Sequence, residues 1–154
     1  MALNIEVNGI KNGGDIPVDL TCDGRNYSPQ IFIKEAPKDA KSLALIVEDP
    51  DAPIGLFVHW VIFNINPNVS MLRSNIEKAT RTSEGYLQGK NDFGNVGYDG
   101  PCPPRGHGFH RYFFKLFALS SSLNVEGVVT RDKLLRAMEG KILAQAESMG
   151  KYKR

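Results

Sequence analysis

His110 and Tyr112 stand two residues apart at the start of an apolar run, HRYFFKLFAL, over residues 110–119. In extended chain this spacing puts an imidazole and a phenol on one face and sends Arg111 to the other. Just upstream lies GPCPPRGHGF, residues 100–109, a loop of glycine and proline that also holds Cys102 and His107. Backbone N–H groups in such a loop can form a nest for an anion. With the imidazole and phenol beside it, the nest would make a pocket for phosphate or carboxylate. Zinc bound by Cys102, His107 and His110 is the competing reading. A strand or tight loop rarely brings residues i and i+3 onto one metal, and no fourth ligand is evident, so no metal is expected.

Two more groups could take part in chemistry. Asp49 and Asp51 lie in VEDPDAP, residues 47–53, and paired carboxylates can serve as acid and base. Pro50 and Pro53 break the extended alternation, so Asp51 equally fits a turn shaped by its own side chain. His59 sits inside FVHWVIF, where it must find a hydrogen-bond partner or open onto a pocket. Ser28 and Cys102 are the candidate nucleophiles, but neither lies in a G-x-S-x-G elbow. There is no P-loop or dinucleotide fingerprint either. The residues describe a pocket without reaction machinery, and no cofactor.

Strands must position these groups. Leu3, Ile5 and Val7 alternate with polar residues. SLALIVE at 42–48 reads as a buried strand. Residues 57–65 and 110–119 are apolar on both faces and belong in the middle of a covered sheet. Turn-rich joins such as GIKNGGDIP, CDGRNYSP and NINPNVS separate them, which favours an all-β sandwich or barrel-like core. Thr130 can cap a helix beginning at Arg131. Leu134, Leu135, Met138, Ile142, Leu143, Ala146 and Met149 then follow helical spacing and predict one C-terminal helix packed on the sheet. Gly140 weakens it by ~1 kcal/mol. The basic end, Lys151 to Arg154, reads as a solvated helix terminus.

The chain of 154 residues fits a single domain, 1–154. A net charge of +2 is too small to argue for nucleic acid. No apolar run approaches the roughly 18–20 residues that span a bilayer. The N-terminal residues lack a basic stretch followed by an apolar one, so a cytoplasmic location is expected. Cys22 and Cys102 are too few for a disulfide framework and leave one bridge open. Such a pair stays reduced in a mesophile's cytosol but not necessarily in a hyperthermophile. Exposed sheet edges leave a homodimer open.

DPDAP at 49–53, HW at 59–60, GPCPP at 100–104 and HRY at 110–112, taken together and in order, resemble the phosphatidylethanolamine-binding proteins, also called Raf-kinase-inhibitor-like proteins. TCDGRNYSP at 21–29 looks like the short prokaryotic branch. The resemblance implies a large central antiparallel sheet, a smaller second sheet and a few helices. It also implies a pocket for phosphate, acetate or phosphoethanolamine, formed by Asp49, His59, Gly100, Pro104, His110 and Tyr112. His107 lies in a segment longer than the usual prokaryotic form and stays unassigned. A buried carboxylate would favour protonated pocket histidines, which suits an anion and predicts weaker phosphate binding as pH rises. The implied role is inhibition or regulation of a partner, a serine protease or a protein kinase. The alternatives are a hydrolase of a small phosphoester or acyl substrate, and a scaffold.

Overall fold

The computed structural model describes residues 2–154. Its strands are β1 (Asn4–Val7), β2 (Ile31–Lys34), β3 (Ser42–Asp49), β4 (Phe57–Ile65), β5 (Met71–Leu72), β6 (Leu87–Gln88), β7 (His110–Leu119) and β8 (Ile142–Tyr152), with helix α1 (Arg131–Met138) before β8. A five-stranded sheet runs β6-β4-β3-β7-β8 and a three-stranded sheet runs β1-β2-β5. All their pairings are antiparallel. The protein is mainly β, with a larger and a smaller sheet.

Two-sided apolar composition decides the strand order. Every residue of β3 is buried, because both of its faces are covered. Leu43, Leu45 and Val47 meet the smaller sheet's Ile5, Val7, Ile31 and Ile33, with Trp60, Phe114 and Leu116 alongside. Ala44 and Ile46 face the other way, onto Val61, Phe63 and Phe117, which Leu134 and Met138 of α1 cover. Each large apolar side chain buried in this way contributes roughly 1.5–3 kcal/mol. Glu48 is buried on the α1 face but paired at both oxygens, by Lys115 Nζ at 2.9 Å and Arg131 Nε at 2.7 Å. The second pair pins the start of α1 to the sheet.

The C-terminal quarter differs from the single helix that its spacing predicts. Thr130 caps α1 as expected, its Oγ1 accepting from Lys133 N–H at 3.3 Å. The helix stops at Met138 because Gly140 adopts φ +74°, the left-handed position that closes a helix. The chain then returns as β8 and pairs with β7 from Ile142 to Tyr152. Ala144 and Ala146 pack on the inter-sheet core. On the same strand face, a Cβ at Gly150 would stand 2.6 Å from Ile16 Cγ1. That alternation of small residues fits a strand passing closely over the N-terminal segment. The basic end is thus a strand end, and Arg154 pairs with Asp23 at 3.1 Å.

Cys22 and Cys102 are bridged across 80 residues of sequence. The bond ties the turn after residues 18–20 to the loop ahead of β7. Among the described residues, no helix is long and apolar enough to cross a membrane.

Candidate functional site at the end of the main sheet

Asp49 is the last residue of β3, and His110 and Tyr112 open β7. In alternation with Val47 and Phe114, all three point between the sheets. His59 reaches the same place by a different device. Val47 pairs with Trp60 and Glu48 with Val58, so His59 is the extra residue of a β-bulge. A bulge re-aims a side chain. It turns the His59 ring onto Tyr112, 5.2 Å between centroids, instead of toward the helix-covered face that Val61 occupies.

These groups share a cavity of about 320 Å³ lined by Asp49, His59, Pro104, His110 and Tyr112. Its remaining wall is apolar, formed by Ala52, Pro53, Ile54, Phe57, Phe93, Cys102 and Pro103. Gly100 lies behind that wall. Its N–H donates to Asn26 Oδ1 at 2.7 Å, and a Cβ there would stand 1.9 Å from the Leu20 carbonyl oxygen. Two further N–H groups of the loop are also engaged internally, Gly106 with Arg154 O at 3.1 Å and His107 with Pro104 O at 3.2 Å. These three N–H groups are therefore not available to an anion in the cavity. Ser28 lies away from it too, buried and accepting from Ile76 N–H at 2.9 Å. Cys102 is held in its disulfide and offers no thiolate.

Hydrogen bonding fixes the state of each ring. His110 Nδ1–H donates to Asp49 Oδ2 at 2.6 Å, and Asp49 Oδ1 accepts from Asp51 N–H at 2.7 Å. His59 Nδ1 lies 2.7 Å from the Asp99 carbonyl oxygen. A carbonyl only accepts, so Nδ1 carries the proton. Burial holds the His59 pKa below its ordinary value, against the pull of the Asp99 carbonyl and the Asp49 carboxylate. His59 is therefore neutral near pH 7, with a bare Nε2. The expected imidazolium fails at this residue because desolvation outweighs the neighbouring charges. Burial first, and Asp49 second, push the Tyr112 phenol well up.

Asp51 does more than shape its own turn. Its carboxylate accepts from Arg111 N–H at 3.0 Å and from Nε and Nη2 at 2.9 Å each. The Arg111 side-chain hydrogen bond is the largest cause that brings its pKa down to about 2. The loop after β3 is thereby clamped to β7, with Arg111 on the face opposite His110.

Several contributors were not read from the sequence. Phe57 and Phe93 meet edge to face at 4.8 Å and flank His59 at 5.2 and 5.4 Å. Asp99 orients His59 through its carbonyl, while its carboxylate is held by Lys78, Asn91 and Asn95. The polar turn NDFGNVGYDG was the available signal. His107, left unassigned, sits with Nδ1 2.5 Å from His110 Nε2.

An antiparallel two-sheet core whose central strands end at a mostly apolar cavity with a few convergent polar groups has the form of a small-ligand-binding domain. Residues 6–153 match the family model described as phosphatidylethanolamine-binding protein. The chain belongs to that family. A UPF0098 protein of Aquifex aeolicus is 52% identical over 145 residues, covering 94% of this chain and 84% of the relative. The crystal structure of a phosphatidylethanolamine-binding protein homologue from Chlamydia trachomatis superposes with a TM-score of 0.90 at 39% identity, covering 99% of this chain and 98% of that one. Escherichia coli YbcL superposes at 0.91 with 30% identity, covering 100% of this chain and 99% of that one. A carboxypeptidase Y inhibitor, solved with its cognate proteinase, shares the fold alone, with a TM-score of 0.62 at 16% identity over 99% of this chain and 83% of that one.

Proposed function

We propose that the protein binds a small phosphorylated or carboxylated ligand in the cavity of Asp49, His59, Pro104, His110 and Tyr112, and through it regulates a partner enzyme, most concretely a serine protease. The carrying observation is the convergence of four polar side chains, Asp49, His59, His110 and Tyr112, from three strands on one cavity. Its volume lies in the range of small-molecule sites. A hydrogen phosphate group suits the chemistry, because its hydroxyl can donate to the bare His59 Nε2 while another oxygen accepts from His110. Asp49 can receive an ammonium group, so phosphoethanolamine fits both ends. The Phe57–Phe93 wall adds room for an apolar portion next to the polar head. The protease partner is supported only by the fold shared with the carboxypeptidase Y inhibitor, which is analogy.

Calorimetry with phosphate, acetate and phosphoethanolamine tests the pocket, and residual activity of chymotrypsin-, elastase- and trypsin-like enzymes at micromolar protein tests the partner. Saturable binding that is lost in His110→Ala is expected. Absence of binding by all three ligands overturns the pocket reading, and absence of inhibition overturns the protease partner alone. Turnover of chromogenic esters or phosphoesters, lost in His110→Ala, would replace binding by hydrolysis.

A further inference from the structure

His107 lies on the exposed loop over residues 104–109 and is not part of the cavity wall. Its Nδ1 is nonetheless 2.5 Å from His110 Nε2. Such a contact holds one proton, since two bare nitrogens repel and two N–H groups clash. Because His110 Nδ1–H is already given to Asp49, the three side chains form a carboxylate–imidazole–imidazole chain. It runs from the buried Asp49 to the surface.

This chain engages the donors of the pocket. His59 Nδ1–H is bound to Asp99 O and Gly100 N–H to Asn26. Of the carboxylate and rings that line the cavity, the Asp49 oxygens and His59 Nε2 offer acceptors, with the Tyr112 hydroxyl beside them. An anion needs a donor, and His110 Nε2 is the ring atom able to supply one. We infer that His107 is a gate for the anion site: it competes with the ligand for His110 Nε2 and must swing aside for the anion to bind. The inference rests on the anion-binding reading above.

The loop is suited to that movement. His107 stands between Gly106 at φ +77° and Gly108 at φ +92°. A Cβ at either glycine would meet nothing within 4 Å, so these glycines serve backbone freedom and not close packing. The loop's N–H tethers are the bonds of Gly106 to Arg154 O and His107 to Pro104 O. Cys102, by contrast, is fixed by its bridge to Cys22, which places the moving part after Pro104. On opening, a ligand oxygen replaces His107 Nδ1, and the acid form of the phosphate supplies the proton of the new hydrogen bond, dihydrogen phosphate becoming hydrogen phosphate as the proton passes to His110 Nε2.

Protein with 15N-labelled histidine tests this in two readouts, the scalar coupling across the His107–His110 hydrogen bond and the affinity for inorganic phosphate. The coupling should be present without phosphate and vanish at saturation. His107→Ala should bind phosphate about three- to tenfold more tightly, the usual worth of one net hydrogen bond. His107→Gln, whose amide can still donate to Nε2, should return toward wild-type affinity. Equal or weaker binding by His107→Ala while the wild type binds overturns the gate alone, as does a coupling that survives saturation. No phosphate binding by any of the three proteins overturns the anion reading and the gate together.

Discussion

His59 carries a stability argument separate from its place in the pocket. Its pKa is held below the ordinary value by burial, whereas in the unfolded chain an imidazole titrates near about 6.5. Below that pH the unfolded chain takes up a proton that the native state refuses. Folding stability is therefore full above about pH 6.5 and falls as pH drops through the window down to the folded pKa. Denaturant unfolding from pH 8 to pH 5 should show this decline. His59→Gln, which keeps a donor for Asp99 O, should flatten it. An unchanged slope in the variant would mean that another group sets the acid limb. The same neutral ring predicts anion selectivity. Near pH 7 phosphate keeps a hydroxyl that can donate to His59 Nε2 and sulfate has none, so sulfate leaves a buried acceptor unpaired. Phosphate should bind about tenfold more tightly or better, an unpaired buried group costing ~1–3 kcal/mol. Equal affinities by calorimetry would mean a protonated His59 in the complex. At this scale the sequence was most legible where periodicity applies. The alternation of HRY assigned His110 and Tyr112, and the ordered motifs supplied Asp49, His59 and Pro104. It was silent where the backbone leaves regular geometry. Two glycines at positive φ let His107 bend back onto His110, and no periodic rule describes an i, i+3 contact across such a loop. Gly100 was drawn in by its motif, and a Cβ there would stand 1.9 Å from the Leu20 carbonyl oxygen, which requires glycine at this position.

The elements show where a single period misleads. Strands β3, β4 and β7 were readable almost to the residue, since their length and two-sided apolar composition admit one position in a covered sheet. The last quarter was not. Ile142, Leu143, Ala146 and Met149 fit a helical stripe, but Ile142 and Leu143 end up exposed. The signal that mattered was the alternation Ala144, Ala146, Ser148, Gly150, whose small side chains let β8 run beneath the N-terminal loop. Gly140 was read as a weak point within a helix and is instead its terminator. The element-scale prediction follows from the close contact at Gly150. A valine at position 150 would drive its branches into Ile10 and Ile16, whose atoms lie 2.8 and 2.6 Å from an ideal Cβ. Gly150→Val should cost about 1–3 kcal/mol, the range for overpacking a core. Hydrogen exchange should lose protection first along β8 and the facing residues 13–16, whose backbone bonds cross this contact. Unchanged exchange there would mean that the N-terminal segment shifts freely to accept the side chain.

At the scale of the whole molecule, the Cys22–Cys102 bridge joins the pocket wall to the rest of the fold. Cys102 lines the cavity. Arg154 reaches its Sγ with Nη1 at 3.3 Å and holds Asp23 with Nε at 3.1 Å, and the Tyr152 hydroxyl donates to the same carboxylate at 2.5 Å. The end of β8, the turn around residue 23 and the loop before β7 thus meet beside one covalent link. The link was an open alternative in the sequence because pairing depends on a fold that brings distant loops together. Bridged pairs are common in oxidising compartments and in the interior of hyperthermophiles. Closing a loop across 80 residues restricts the unfolded chain by about 4 kcal/mol in the chain-entropy account. For a domain of this size that corresponds to a melting temperature higher by about 10 °C. Melting with and without a strong thiol reductant should show that difference, and Cys22→Ser should melt like the reduced protein. The pocket should respond as well. With its wall released at Cys102, phosphate should bind more weakly in the reduced protein even well below its melting temperature. Equal affinity with the thiols verified as free would confine the bridge to global stability and leave the shape of the cavity to β3, β4 and β7 alone.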